Sequence, residues 1–249
     1  MAQTMNASVP QNQIHTDIMH TGAKHNFSIN QETAEQLSLF TSLINTHNKS
    51  YNLTGFKNSR DIINNLIFDS IIGLSFISFP PDAYVLDIGS GAGIPGIPCA
   101  LLFPQNPISL IESNQKKLKF LQEVKEKINL PNVTIIPGRA ETLAHSTDFR
   151  EKFDSVLMRA VAELRIIIEL GCPFIKNNGH LYAFKGLKIN DEIKNSEYAL
   201  KIMHSKIAGI KWYTLSPTDK QHAIIDIEKI NYIDNKYPRK PGLVKKRPL

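Results

Sequence analysis

Apolar residues recur at helical spacing early in the chain and gather into short strand-like runs further on. Over residues 31–48, Ala34, Leu37, Phe40, Leu43 and Ile44 line one side of a predicted helix, and Ser59 or Asp61 can start a second that runs through Phe76. Beyond Pro80 and Pro81 the pattern changes to brief apolar runs separated by helical periods, which is how a parallel sheet with crossover helices reads. Strands are predicted over 84–88, 108–111 (with Glu112 closing the run), 133–136, 155–158 and 180–184. Helices are predicted over about 95–103, 115–128, 163–174 and 189–200. In the second of these Leu118, Leu121, Val124 and Ile128 share a face, while Lys116, Lys119, Glu123 and Lys127 lie largely elsewhere. Two last strands, 207–215 and 223–230, flank a polar stretch at 216–222 that is long enough for a hairpin and too short for a crossover helix. The pattern predicts an α/β fold with a doubly wound, mostly parallel sheet ending in an antiparallel strand. A helical preface (31–80) precedes the sheet domain (81–235).

The 249 residues suffice for one good core, and 42% hydrophobic with 21% charged residues is ordinary for a globular protein. Residues 1–30 are mostly polar, with no apolar stretch of signal-peptide type, and are expected to be a disordered extension. No apolar run reaches the roughly 18 to 20 residues that span a bilayer, so no membrane partner is expected. Cys99 and Cys172 have neither the spacing nor the company for a disulfide framework or zinc site; no metal is expected, and a reducing cytoplasm fits best. A net charge of +6 points to a polyanionic partner. The tail at 236–249 is rich in Lys, Arg and Pro, and Arg239, Lys240, Lys245, Lys246 and Arg247 could bind phosphate without sequence preference.

The run from Val85 to Gly96 places Gly89, Gly91 and Gly93 between a strand and a helix. Glycine there lets the backbone turn sharply and lets a ligand approach without meeting a Cβ. Gly91, Gly93 and Gly96 also form a GxGxxG pattern, so a dinucleotide is the alternative ligand. Asp87 two residues ahead of the first glycine, and the long helical preface, favour S-adenosylmethionine. Glu112 stands where an acidic side chain can accept from both ribose hydroxyls, or it is a solvated carboxylate near a helix start. Asp87 could equally tie down backbone amides. After the third strand come Gly138, Arg139, Ala140 and Glu141, of which the Ala140 amide or the Glu141 side chain could meet an adenine. Arg159, at the end of the fourth strand, could reach a carboxylate, a phosphate or a base, or could pair with Asp154 or Glu163. No Asn/Asp-Pro-Pro-aromatic motif of amino-group methylation is present, and Pro98-Cys99 reads as a buried structural cysteine rather than a nucleophile.

With these residues in hand, the chain resembles the RsmG (GidB) family, whose members methylate N7 of a guanosine in small-subunit ribosomal RNA. The likeness lies in LDIGSGAGIPGIP at 86–98, GRAE at 138–141, Arg159-Ala160, FKG at 184–186 and Asn52-Leu53-Thr54. It implies a class I, Rossmann-like methyltransferase that uses S-adenosylmethionine, with small-subunit ribosomal RNA as partner and a monomeric state expected. By resemblance, cofactor contacts fall on Gly89, Ile94, Ala140, Glu141 and Arg159, with Glu112 as the acidic end of strand two. Gly91 and Gly93 complete the loop. Leu66 stands where the family commonly has His, Met158 replaces its usual serine, and the N-terminal tail is longer than usual. Guanine N7 has a lone pair and no proton, so no general base is required, and Arg139, Arg159 and Lys185 are the candidates for holding the RNA. The rival functions are a non-catalytic cofactor-binding RNA module and a small-molecule methyltransferase.

Overall fold

A computed structural model describes residues 10–187, 189–215 and 220–249. Its strands are β1 (Val85–Ile88), β2 (Ile108–Glu112), β3 (Val133–Pro137), β4 (Phe153–Arg159), β5 (Ile175–Lys185), β6 (Ser205–Leu215) and β7 (Lys220–Lys229). They form one sheet in the order β3-β2-β1-β4-β5-β7-β6. The pairs among β1 to β5 are parallel, whereas β7 lies antiparallel between β5 and β6. The expected antiparallel ending is therefore present as the pair β6–β7, whose connection (216–219) falls outside the described residues. Strand order reverses between β1 and β4, and in open α/β sheets that reversal opens a crevice at the carboxyl ends of the strands.

Alternation along the strands divides the core. Val85, Leu110 and Leu157 face one hydrophobic cluster with the N-terminal helices, while Leu86, Ile111, Val156 and Met158 face another. The first face is covered by α1 (Gln11–Lys24), α2 (Gln31–Asn48), α3 (Ser59–Ile62), α4 (Asp69–Leu74), α5 (Gly96–Leu102) and α6 (Gln115–Ile128). The second is covered by α7 (Ala140–Leu143), α8 (Leu164–Gly171), α9 (Ile189–Lys194), α10 (Glu197–Ile202) and α11 (Leu243–Lys246).

Three expectations need correction. Residues 11–24 of the presumed disordered extension form α1, because Ile14 and Ile18, one turn apart, are buried against α2. Burying two isoleucines contributes roughly 3–6 kcal/mol before ordering costs, enough to hold a helix whose other positions are polar; residues 1–9 lie outside the described residues. The helix expected through Phe76 is interrupted by a π turn at Ile63–Phe68 between α3 and α4. The helix expected over 189–200 is two, α9 and α10, with Ser196 buried at the break. The basic tail, for its part, is docked on the domain. Arg239 grips the fully buried carboxylate of Glu169 with Nε at 2.8 Å and Nη2 at 2.6 Å. Arg150 donates to the carbonyls of Ile233 and Tyr237, and Val244 of α11 is buried.

Candidate functional site

The carboxyl edge of the sheet carries two recesses separated by the chain that leaves β4. The first, about 200 Å³, lies over β1, β2 and β3 and is lined by Gly89, Glu112, Gly138, Arg139, Ala140 and Glu141, with Gly242 and Lys245 of the tail closing one side. Gly89 is exposed there at φ +72°, and a Cβ on it would stand 3.3 Å from Val161 Cγ2 across the opening. Glycine thus supplies both the left-handed turn and the open space. Gly93 has a different task. At φ +82° it packs under the loop, where a Cβ would lie 2.6 Å from Ile97 Cγ1, and Ile94 beside it is buried in the same core. Gly91, at φ +59°, donates its amide to Glu112.

Glu112 is tied down more firmly than expected. Its Oε1 accepts from the amides of Ser113 (2.7 Å) and Asn114 (2.8 Å), and its Oε2 accepts from Gly91 (3.0 Å). A carboxylate offers about four acceptor sites, so about one remains free for a ligand hydroxyl rather than the two needed to take both hydroxyls of a ribose. The residue fixes the glycine loop and the start of α6 as well as facing the recess. Asp87 faces away from the opening. Its Oδ2 accepts from Gly96 (3.0 Å), its Oδ1 is buried without a partner, and burial pushes its pKa up to about 7. It is a buried support for the turn into α5. Ala140 is buried at the start of α7, Glu141 is half-buried beside it, and Arg139 is exposed at the mouth.

The second recess, about 220 Å³, is lined by Asp69, Arg159, Ala160, Lys185 and His222 among others. At its centre Arg159 donates to Asp69 Oδ2 from Nε (2.8 Å) and Nη2 (2.7 Å), and Nη2 also reaches the carbonyl of Asn65 (2.7 Å). The π turn presents that carbonyl one turn ahead of Asp69, so a widened helix holds the guanidinium from two points. The other oxygen of Asp69 accepts from the Tyr213 hydroxyl (2.7 Å) and His222 Nδ1 (3.0 Å), both from the β6–β7 hairpin. Because a carboxylate only accepts, Nδ1 of His222 carries the hydrogen. Burial alone would raise the pKa of Asp69, but His222, Arg159 and Tyr213 outweigh it and hold the carboxyl below its usual value.

Arg159 therefore pairs with neither Asp154, which meets Lys176, nor Glu163, which meets Arg165. Ala160 follows at φ +54°, a conformation costing a non-glycine residue about 1–2 kcal/mol. That bend turns the chain between the recesses, leaving Arg159 in one and Val161 in the other. Lys185 reaches the second recess but is engaged. Its Nζ donates to the Ala162 carbonyl (2.6 Å) and Glu192 Oε2 (2.5 Å), while that same oxygen accepts from Leu164 at the start of α8. Lys185 thus braces the segment leaving β4. The structure unites Arg159 with Lys185 and places Arg139 with the other recess. Asp69, Tyr213 and His222 carry no local signal of function in the sequence.

A glycine loop after β1, an acid closing β2 and a sheet ended by an antiparallel hairpin define a class I, Rossmann-like methyltransferase. Solved structures share this fold: M. jannaschii TYW2 in complex with AdoMet (21% identical, 66% of this chain and 76% of that one, TM-score 0.50) and Aeropyrum pernix fibrillarin with natively bound S-adenosyl-L-methionine (16%, 65% and 73%, TM-score 0.51). The chain belongs to the rRNA small subunit methyltransferase G (GidB) family, whose model matches residues 33–215. It is 37% identical to the ribosomal RNA small subunit methyltransferase G of Clostridium tetani over 84% of this chain and 88% of that one. The Clostridium kluyveri protein of the same name is 36% identical over 94% and 98%. The first recess fits S-adenosylmethionine: Gly89 opens a cradle that a Cβ would narrow, and Glu112 keeps an acceptor site facing it. Both cysteines are buried and free, and among the described residues no helix is long and apolar enough to cross a membrane.

Proposed function

We propose that this chain methylates N7 of a guanosine in small-subunit ribosomal RNA, using S-adenosylmethionine, in the cytoplasm. The observation that carries this reading is the juxtaposition of the glycine-loop recess with a second recess whose cation, Arg159, is held by a buried carboxylate. Gly89, Glu112, Ala140 and Glu141 hold the cofactor, while Gly91, Gly93 and Ile94 shape the loop beneath it. When bound, S-adenosylmethionine supplies a methyl group on a positively charged sulfur.

N7 of guanine offers a lone pair with no proton to remove, so the protein's work is to bring the reacting atoms to about 3–3.5 Å in line. Arg159 is placed for this. Of its five N–H donors, one on Nε and two on Nη2 are engaged by Asp69 and Asn65, leaving Nη1 for guanine O6 or a phosphate. Lys185 acts indirectly by fixing the turn that carries Ala160 and Val161. Arg139, exposed at the mouth, meets the RNA backbone.

Labelled S-adenosylmethionine incubated with the protein and small subunits from cells lacking the enzyme tests the reading. Label mapped to a guanine N7 is expected. No label on subunits, naked RNA or precursor particles would overturn it.

A further inference from the structure

A groove outside both recesses has the composition of a nucleic-acid site. It lies between the end of α2 and the start of α3, has a volume of about 680 Å³, and is lined chiefly by Asn45, Asn48, Lys49, Asn52, Thr54 and Lys57. No carboxylate lines it, and Lys49, Asn52 and Lys57 are exposed. Asp61, the acid nearest it in the chain beyond Lys57, is engaged by the side chain and the role of Asn58 as helix cap.

The groove's wall is built before any ligand arrives. Asn48 Oδ1 accepts from the amides of Leu53 (2.9 Å) and Thr54 (3.0 Å), and its Nδ2 donates to the Phe56 carbonyl (2.6 Å). The Thr54 hydroxyl accepts from the Phe56 amide (3.0 Å), and Leu53 is buried in the core. One asparagine thus closes the loop into a fixed shape, so a ligand need not bear the entropy of ordering it.

Its position follows from two contacts between α2 and α6. Gln36 meets the carbonyl of Ile128 and His47 meets Glu123, so the helices run antiparallel and α2 ends toward the start of α6. That start is beside the glycine loop, with Lys117 Nζ 3.8 Å from where a Cβ of Gly91 would be. On the other side, the helix that begins at Ser59 leads to Asn65, which bonds Arg159. Six helical residues span about 9 Å. The groove therefore opens toward the same edge of the sheet as the second recess.

We propose that this groove binds the sugar-phosphate backbone of single-stranded RNA flanking the target base, with Lys49 and Lys57 on phosphates and the exposed side-chain amide of Asn52 on sugar or base edges. The proposal rests on the ribosomal RNA reading above and adds a contact distinct from the cofactor and target recesses.

The test is binding of a labelled single-stranded RNA at several salt concentrations by wild type, by the double variant Lys49→Ala/Lys57→Ala, and by the charge-matched double variant Lys194→Ala/Lys201→Ala on the opposite face. Two lost phosphate contacts lower the slope of log affinity against log salt by about 1.4, so a fourfold rise in salt weakens wild type about sevenfold more than the groove variant. S-adenosylmethionine binding and thermal stability are expected to stay at wild-type values in both variants. An unchanged slope in the groove variant overturns the proposal, as does an equal loss in the control pair or a wild type that binds no RNA. Methyl transfer measured on the same preparations reports separately: binding that depends on the groove without methylation supports the groove and fails the reaction.

Discussion

Replacing Asp69 with asparagine keeps the shape of the side chain and removes the charge on which the second recess is built. The wild-type carboxylate serves Arg159 through Oδ2 and the Tyr213–His222 pair through Oδ1. Asparagine has one acceptor oxygen, so it can satisfy one side and must turn an N–H₂ group toward donors on the other. Breaking a buried ion pair from one side costs about 3–5 kcal/mol; the retained hydrogen bonds place Asp69→Asn near the lower end, about 3 kcal/mol. In a chain of this length each kcal/mol lowers the melting temperature by about 2–4 °C, so a drop of about 6–12 °C is expected. Freed from Asp69, the guanidinium no longer points one way, and misplacement by about 1 Å can lower kcat/KM about a hundredfold. The pH dependence carries its own sign. Asp69 has a folded pKa below its ordinary 3.8, so its stabilising contribution is present above that value and is lost as pH falls through the lower, folded one. The stability gap between wild type and variant should therefore be widest near neutrality and narrow in acid below pH 3.8. Thermal melts across pH and methyl-transfer kinetics read the three effects. A variant that melts within about 2 °C of wild type and turns over at the wild-type rate would refute the reasoning.

Two further substitutions probe the buried carboxyls of Glu169 and Asp87. Arg239→Ala leaves the fully buried Glu169 without its guanidinium, which should cost about 3–5 kcal/mol and loosen the tail whose Gly242 and Lys245 line the cofactor recess; hydrogen exchange over 233–249 and the S-adenosylmethionine Kd should both rise, and unchanged exchange would count against a docked tail. Asp87, with its pKa raised from 3.8 to about 7 by burial, contributes stability that is full below 3.8 and lost as pH rises through 7, a change on the order of 4 kcal/mol. Asp87→Asn removes that titration, so its stability should be nearly flat across the window in which wild type declines; equal slopes would show that Asp87 does not titrate there.

The parts of the fold that were legible in the sequence are those whose signals are local. Strands β1 to β4 announce themselves by apolar runs, α6 by its stripe of Leu121, Val124 and Ile128, and the glycine loop by residues that are consecutive in the chain. α1 escaped because its core-facing stripe rests on two isoleucines among polar neighbours, and only the presence of α2 makes that stripe worth burying. The docked tail escaped for a related reason: Arg239 looks like any basic tail residue until Glu169, 70 positions earlier, is brought beneath it.

Arg159 shows where reading by proximity in the chain fails. Asp154 is five residues away and of the right charge, but both residues belong to β4, and five residues of strand span about 16 Å. Asp154 therefore sits at the opposite edge of the sheet, where it meets Lys176 and the amide of Tyr84. Asp69 is 90 residues away, yet the π turn carries it to the carboxyl edge where β4 ends. The imidazole that meets Asp69 comes from His222 of β7, and not from position 66, where this chain has leucine. The sheet sorts side chains by the edge they reach, so residues brought to one edge from distant strands and helices become partners while near neighbours on one strand are held apart.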